Sequence, residues 1–154
     1  MLVYLVQHAE AKSKEEDPAR DLTDQGAQDI KKVADQLGKF HPAINQILHS
    51  GKTRALSTAN ILAAALKPPQ GVTPTSGLAP LDDPGDWASR LAEMDEHIML
   101  VGHLPHLAKL ATLLLTGDQE KSVINFKMGG VVCLRRSEVG QWAVDWMIIP
   151  EIIS

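Results

Sequence analysis

Residues 2–10 read LVYLVQHAE, an apolar stretch that runs directly into polar residues, and this stretch decides the fold class. Leu2–Val6 is a short apolar run rich in β-forming residues, which predicts a buried strand. Two further apolar runs, Ile44–His49 and His97–Val101, predict strands of the same kind. Helical patterns separate these runs, so the sequence predicts a mainly parallel sheet covered on both faces.

The predicted helices have recognisable ends. A helical pattern follows Thr23 and is expected to end at Gly38. Thr53–Leu66, rich in alanine and leucine, predicts a second helix. Trp87–Met94 predicts a shorter third helix, and the segment from Pro105 to about Leu115 predicts a fourth, with proline in its first turn.

The C-terminal part of the chain has a different pattern. Gly130–Arg135 and Trp142–Ile149 predict two strands, and the polar turn Ser137–Gly140 joins them into a hairpin. We therefore expect a three-layer α/β/α domain with a mainly parallel central sheet and a C-terminal β-hairpin at one edge. At 154 residues and 44% hydrophobic content, residues 1–154 fit a single domain.

Composition excludes several classes of function. The formal net charge is −4 and no Lys/Arg cluster is present, which argues against nucleic-acid binding. The single cysteine, Cys133, excludes an internal disulfide and a cysteine-based zinc site, and its apolar surroundings predict a buried thiol. Met1–Val6 is too short for a signal peptide or a membrane span, so we expect a cytoplasmic protein with no membrane partner.

Polar residues follow three of the predicted strands, where an open α/β sheet binds its ligands. These residues are Gln7-His8, the segment Ser50–Arg54 and Gly102-His103. Two of the three junctions also open helices, and a helix N-terminus favours an anion. Two histidines and an arginine that converge with helix N-termini on one crevice predict a phosphate site with a nucleophile.

Several of these residues also have simpler interpretations. A lone histidine after a strand is more often a capping or surface residue, and we assign His41, His49, His97 and His106 to that role. Gly51-Lys52-Thr53 resembles the end of a P-loop, but Gln46 stands where that loop needs glycine. His103 and His106 lack a nearby acidic third ligand, so no metal site is expected.

Four segments in series resemble the histidine phosphatase superfamily, and most closely its SixA-type phosphohistidine phosphatases. The family opens with R-H-G or R-H-A before an acidic residue, and this chain has QHAE at 7–10. An R-P-L-T-x-x-G segment corresponds to RDLTDQG at 20–26. S-x-x-x-R-A-x-x-T-A and V-G-H-x-P are intact at 50–59 and 101–105. FKMGG at 126–130 and the segment 142–150 are similar to the family's end, so the resemblance covers almost the whole chain.

The resemblance implies a phosphoglycerate mutase-like fold and a role for each matched residue. His8 would attack phosphorus and form a phosphohistidine intermediate, which water then hydrolyses. Arg54 would bind phosphate oxygens, and His103 would stabilise charge in the transition state. Arg20 would be a further phosphate contact at the mouth. No metal or other cofactor is implied, because arginine and imidazolium supply the positive charge.

The chain departs from the family at the residue before the nucleophile, where Gln7 replaces the usual arginine. An amide donates hydrogen bonds but carries no charge, and losing a comparable oxyanion donor lowers a rate by about 10²–10³. Arg20 or Lys52 could supply part of the missing charge. A weakly active or non-catalytic phosphate-binding pseudophosphatase therefore stays open as an alternative.

The second departure is the lack of an obvious general acid. Asp82 and Asp83 are the only candidates, and an aspartate before proline is more often a turn residue. A phosphohistidine substrate lessens the need for an acid, because imidazole is a better leaving group than an alkoxide. We therefore expect a phosphohistidine-bearing protein as partner, with a small phosphoester as the alternative substrate. A mutase is the least favoured interpretation.

Overall fold

The computed structural model describes residues 1–154, which form a six-stranded sheet between two pairs of helices. The strands are β1 (Leu2–Gln7), β2 (Gln46–His49), β3 (Val72–Pro74), β4 (Ile98–Gly102), β5 (Val131–Arg136) and β6 (Trp142–Ile148). The helices are α1 (Asp24–Phe40), α2 (Thr53–Leu66), α3 (Pro84–Glu93) and α4 (His106–Thr116), and a 3₁₀ turn spans Pro150–Ile152.

The strand order is β3-β2-β4-β1-β5-β6. Strands β1 to β4 pair in parallel, whereas β5 pairs antiparallel with β1 and with β6. The predicted three-layer α/β/α fold, with a mainly parallel sheet and a C-terminal hairpin at one edge, is therefore confirmed. Parallel pairing brings the carboxyl ends of β1, β2 and β4 to one edge of the sheet.

The apolar run of β1 divides the core between the two faces of the sheet, because successive side chains of a strand point to opposite faces. Tyr4 and Val6 pack in a cluster with residues of α1 and α2. Val3 and Leu5 pack in a second cluster with residues of α3 and α4. Cys133 is fully buried in the first cluster, and burial raises the pKa of its thiol to about 12, as expected for an inert core cysteine.

Helix α1 begins where the sequence predicts but ends later. The Thr23 side chain accepts a hydrogen bond from the Gly26 amide and caps the helix. The predicted end at Gly38 is wrong, because the helix continues to Phe40. His41 ends it in a left-handed conformation, and its N–H donates to the Leu37 carbonyl. A glycine inside a helix costs only about 1 kcal/mol relative to alanine, so it does not stop a helix that packs well.

Several other boundaries differ by a few residues. Strand β2 begins at Gln46 rather than Ile44, and β4 spans Ile98–Gly102 rather than His97–Val101. Helix α3 begins at Pro84 instead of Trp87, because the Asp83 side chain accepts from the Gly85 amide and caps it. Helix α2 has the predicted bounds, and the hairpin strands lie within one residue of theirs.

Candidate active site

The site lies at the shared edge formed by the carboxyl ends of β1, β2 and β4. The pairing places Gln7 beside Gly102 and His49 beside Val101, so the residues that follow each strand meet. The His8 amide donates to the Gly102 carbonyl over 3.0 Å. The ring centroids of His8 and His103 lie 5.1 Å apart. Two histidines distant in the chain therefore face one crevice.

The ring of His8 is oriented by its own loop. Its Nδ1 lies 2.7 Å from the Ala9 carbonyl oxygen, which accepts only if Nδ1 carries the proton. The other nitrogen, Nε2, is then the unprotonated one in a neutral ring. Burial lowers the pKa of His8, and the positive charges of Arg54 and Arg20 lower it further, while the bond to Ala9 opposes them. His8 is thus held as a neutral imidazole with Nε2 available as a nucleophile.

His103 is a buried imidazole at the end of β4. Its Nε2 lies 2.6 Å from the Ser50 hydroxyl, while Nδ1 is buried with no partner in the protein. Burial is the largest cause that lowers the pKa of His103 to about 3, and the proximity of His8 and the positive charges of Arg54 and Lys52 add to it. A phosphate in the crevice would oppose this shift, because a nearby negative charge favours imidazolium.

Arg54 lies in the first turn of α2, where helix geometry favours an anion. Its Nε is buried and has no partner in the protein. Burial and the charge of Arg20 lower the pKa of Arg54, but a guanidinium stays protonated at neutral pH. A bound oxyanion would accept a hydrogen bond from this Nε–H and would pair with the positive charge of Arg54.

Arg20 and Gln7 complete the surroundings of His8. Arg20 has a φ of 53° and its Nε donates to the Lys12 carbonyl over 3.0 Å, which anchors the guanidinium near the site. Gln7 ends β1, and its Oε1 is buried without a partner. Lys52 is exposed at the N-terminus of α2, and its charge contributes to the lowered pKa of His103. Arg20 thus lies near His8 and Lys52 near His103, whereas Gln7 directly precedes His8 in the chain.

The two candidate acids are engaged elsewhere. Asp82 Oδ2 accepts from the Ala79 amide over 2.9 Å, and Asp83 caps α3. Their charges raise the pKa of His106, which burial lowers. The charges that act on His8 and His103 are those of arginine, lysine and histidine. Both aspartates therefore serve the turn before α3, and they line a groove with Pro105, two residues after His103.

The remaining histidines have structural roles, with one correction. His41 caps α1, Nδ1 of His49 accepts from the Gly51 amide, and Nδ1 of His97 accepts from the Leu2 amide. The assignment of His106 as a capping or surface residue is wrong. Its side chain is fully buried by packing of α4 on the sheet, and neither ring nitrogen has a partner. The chain contains no group of three His, Cys, Asp or Glu residues that could hold a metal ion.

Two residues of the site carry no role in the sequence prediction. Ser50 contacts His103 through its hydroxyl. Thr58 is fully buried, and its hydroxyl accepts from the Ala9 amide over 3.0 Å while it donates to the Arg54 carbonyl over 2.8 Å. It thereby links the loop of His8 to the helix of Arg54. Both residues stand in the 50–59 segment, so the motif marked their positions without indicating their contacts.

A three-layer α/β/α fold with a histidine and arginine cluster at its strand ends is suited to bind a phosphoryl group. The comparison with known families also indicates a protein that acts on phosphoryl groups. The family model described as histidine phosphatase superfamily (branch 1) matches residues 3–100. An uncharacterized protein of Picosynechococcus sp. is 35% identical over 142 residues, which cover 88% of this chain and 85% of that protein. The chain belongs to the histidine phosphatase superfamily, and this membership supports phosphatase activity.

Solved structures agree with this fold. The protein histidine phosphatase SixA complexed with tungstate superposes with a TM-score of 0.86 at 23% identity, over 97% of each chain. A mycobacterial glucosyl-3-phosphoglycerate phosphatase gives 0.70 at 17% identity, over 94% of this chain and 97% of that one. A phosphoglycerate mutase of Plasmodium falciparum gives 0.67 at 15%, over 94% and 88%. The fold is thus SixA-like and phosphoglycerate mutase-like, and proteins that share it act on different substrates.

No helix of the chain has the length and apolar composition that crossing a membrane requires.

Proposed function

We propose that this protein is a metal-independent phosphohistidine phosphatase in which His8 is the nucleophile. The observation that carries the proposal is the state of the His8 ring. Nδ1–H is bound to the Ala9 carbonyl, so the lone pair of Nε2 is free beside Arg54 and His103. Arg20 and Arg54 supply donors and positive charge for a phosphoryl group, and His103 supplies a further hydrogen-bonding group beside it.

The reaction proceeds in two displacements. Nε2 of His8 attacks phosphorus and forms a P–N bond, while the P–N bond of the substrate's phosphohistidine breaks. The departing imidazole takes its proton from solvent, because imidazole is a good enough leaving group to need no dedicated general acid. Water then attacks the phosphorus on His8, which releases inorganic phosphate and restores the neutral imidazole.

The proposed substrate follows from the leaving group that each kind of substrate would have. Cleaving a phosphoester requires a proton for the alkoxide, and Asp82 and Asp83 are committed to backbone amides. A phosphoimidazole has a better leaving group and needs no such acid. The fold similarity to SixA supports the same substrate class.

Two alternative functions are each supported by a separate observation. A small phosphoester is favoured by the fold similarity to a glucosyl-3-phosphoglycerate phosphatase. A phosphate-binding pseudophosphatase is favoured by Gln7, which carries no charge at the position before His8 where the family's motif has arginine. Turnover of p-nitrophenyl phosphate beside that of a phosphohistidine protein separates the first alternative from our proposal.

The decisive test is turnover of a phosphorylated histidine phosphotransfer domain by wild type and His8→Ala. We expect wild type to release phosphate and to carry an acid-labile phosphate on His8 during turnover. His8→Ala should keep the fold and lose activity. His41→Asn is the matched control, because His41 is exposed at the end of α1 and the new side chain tolerates its left-handed backbone. Substantial activity in His8→Ala would show that another group is the nucleophile.

A further inference from the structure

Arg20 stands near His8 on a loop that is held by hydrogen bonds within itself, and we call residues 12–21 the Arg20 loop. The backbone of Arg20 has a φ of 53°, a conformation that residues other than glycine adopt rarely. The Arg20 amide donates to the Asp17 carbonyl over 2.9 Å, and its Nε donates to the Lys12 carbonyl over 3.0 Å. The Lys12 amide donates to the Asp21 carbonyl over 2.8 Å. These bonds fix the shape of the loop but not its distance from Arg54.

A side-chain contact joins the Arg20 loop to the helix of Arg54. The Ser57 hydroxyl donates to Oδ1 of Asp21 over 2.6 Å. Ser57 stands three residues after Arg54 in α2, so the two side chains share one face of the helix. Asp21 directly follows Arg20, and its amide donates to the Asp17 carboxylate over 3.0 Å. The contact therefore connects the neighbour of Arg20 to the helix face that carries Arg54.

The two guanidinium groups on either side of this contact repel each other. The charge of Arg20 lowers the pKa of Arg54, and the charges of both arginines lower the pKa of His8. Without an anion between them, this repulsion favours movement of the Arg20 loop away from α2. Asp21 and Ser57 line an open groove of about 330 Å³, so the loop has room to move there. The hydrogen bond between their side chains opposes that movement.

The family's segments do not specify either partner of the contact. Asp21 replaces the proline of R-P-L-T-x-x-G, and Ser57 occupies an open position of S-x-x-x-R-A-x-x-T-A. This chain also has the uncharged Gln7 before the nucleophile, where the family's motif has arginine. More of the positive charge at the site therefore depends on where Arg20 is held.

We propose that the hydrogen bond between Asp21 and Ser57 holds the Arg20 guanidinium close enough to Arg54 and His8 for both arginines to bind one oxyanion. Asp21 and Ser57 are positioning residues, because they act through Arg20 and not on the substrate. This inference rests on the phosphate-binding role of Arg20 in the function proposed above.

The test removes the hydroxyl of Ser57 and measures two properties of the resting protein. Ser57→Ala keeps a good helix former in α2, whereas Ser57→Thr retains the hydroxyl, and its methyl group has room in the groove. Ser89→Ala is the matched control, since Ser89 is exposed in α3 on the other face of the sheet. Calorimetric titration gives the affinity for tungstate, and NMR titration gives the pKa of the His8 ring. Both are measured with and without Arg20→Ala.

We expect Ser57→Ala to bind tungstate about two- to tenfold more weakly than wild type, the range of one intramolecular hydrogen bond. The pKa of His8 should rise, because the charge of Arg20 moves away while Arg54 and His103 still face the ring. Ser57→Thr and Ser89→Ala should match wild type in both measurements. In the Arg20→Ala background, Ser57→Ala should change neither quantity.

Unchanged tungstate affinity and an unchanged His8 pKa in Ser57→Ala would overturn the positioning role. Equal changes with and without Arg20 would also overturn it, since the contact would then act on the site by another route. Neither measurement requires turnover. Wild type that binds tungstate but releases no phosphate from a phosphohistidine protein would therefore overturn only the proposed function, whereas wild type that binds no tungstate would overturn both.

Discussion

At the scale of single residues, we propose that Gln7 and Arg20 set how strongly the site binds an oxyanion. Gln7 occupies the position of the family's arginine, and its Oε1 is buried without a partner. Arg20 lies close enough that its charge lowers the pKa of both His8 and Arg54. We interpret Arg20 as the group that supplies part of the charge that Gln7 lacks.

This interpretation predicts the behaviour of Gln7→Arg. A charged donor replaces a neutral amide, so tungstate should bind about five- to tenfold more tightly, the difference between a charged and a neutral hydrogen bond. Repulsion from Arg20 opposes part of this gain. Loss of activity in Arg20→Ala should therefore be much smaller when Gln7→Arg is also present. Tungstate inhibition constants and steady-state rates of the single and double variants measure this coupling.

Strict additivity of the two substitutions would remove the idea that Arg20 compensates for Gln7. A wild-type chain without turnover on any phosphorylated substrate, together with activity in Gln7→Arg, would instead support the pseudophosphatase alternative. The two results are distinct, because the first concerns coupling and the second concerns activity itself.

At the scale of elements, the start of α1 is locked to the loop that follows the nucleophile. Thr23 Oγ1 donates to the Glu10 carboxylate over 2.8 Å, and the Thr23 amide donates to the Glu10 carbonyl over 3.0 Å. A Cβ on Gly26 would lie 2.2 Å from that carbonyl oxygen. Only glycine lets the helix approach the 8–10 segment this closely.

Replacing glycine with alanine should therefore have opposite effects on stability at the two glycines of α1. Gly26→Ala should lower the free energy of unfolding by about 1–3 kcal/mol, because backbone must move to admit the methyl group. A Cβ on Gly38 would meet only Ala65, whose carbonyl oxygen lies 3.6 Å away, so Gly38→Ala should raise stability by about 0.5–1 kcal/mol through helix propensity. Urea unfolding of both variants measures these changes. Equal stability of the two variants would contradict the close approach at Gly26.

At the scale of the whole molecule, buried histidines link stability to pH. Burial is the largest cause that lowers the pKa of His8, His49, His97, His103 and His106. Below their ordinary pKa of 6.5 the unfolded chain binds protons that the folded chain does not. Stability is therefore complete above this pH and decreases as the pH falls towards the lower pKa values of the folded state.

We expect the thermal unfolding midpoint to fall between pH 7 and pH 5, a window above the ordinary pKa of Asp and Glu. His106→Leu should make this dependence shallower, because it removes a buried histidine whose nitrogens have no partners. His41→Asn, which removes an exposed histidine, is the control. Calorimetry at several pH values gives the change of the unfolding midpoint with pH for each variant. The same slope in His106→Leu as in wild type would show that His106 does not contribute to the pH dependence.

Local sequence determined the fold class of this protein and the candidate residues of its site. The apolar runs at β1, β2 and β4 are continuous, and such runs indicate buried parallel strands without knowledge of their neighbours. The carboxyl ends of parallel strands lie at one edge of the sheet, and His8, Arg54 and His103 each follow such a strand. Their positions relative to the strands are therefore enough to predict that they lie together. The predicted ends of helix α2 are also correct, because they depend on local sequence. Alanine favours the helix, and Pro68 and Pro69 stop it just after Leu66.

Tertiary structure alone decided what each of those residues does. The contact of His103 depends on Ser50, the contact of Thr58 depends on the Ala9 amide, and His106 is fully buried in the folded chain. Hydrogen bonds and burial join residues far apart in the chain, and no local pattern records which distant group will occupy a given donor or acceptor.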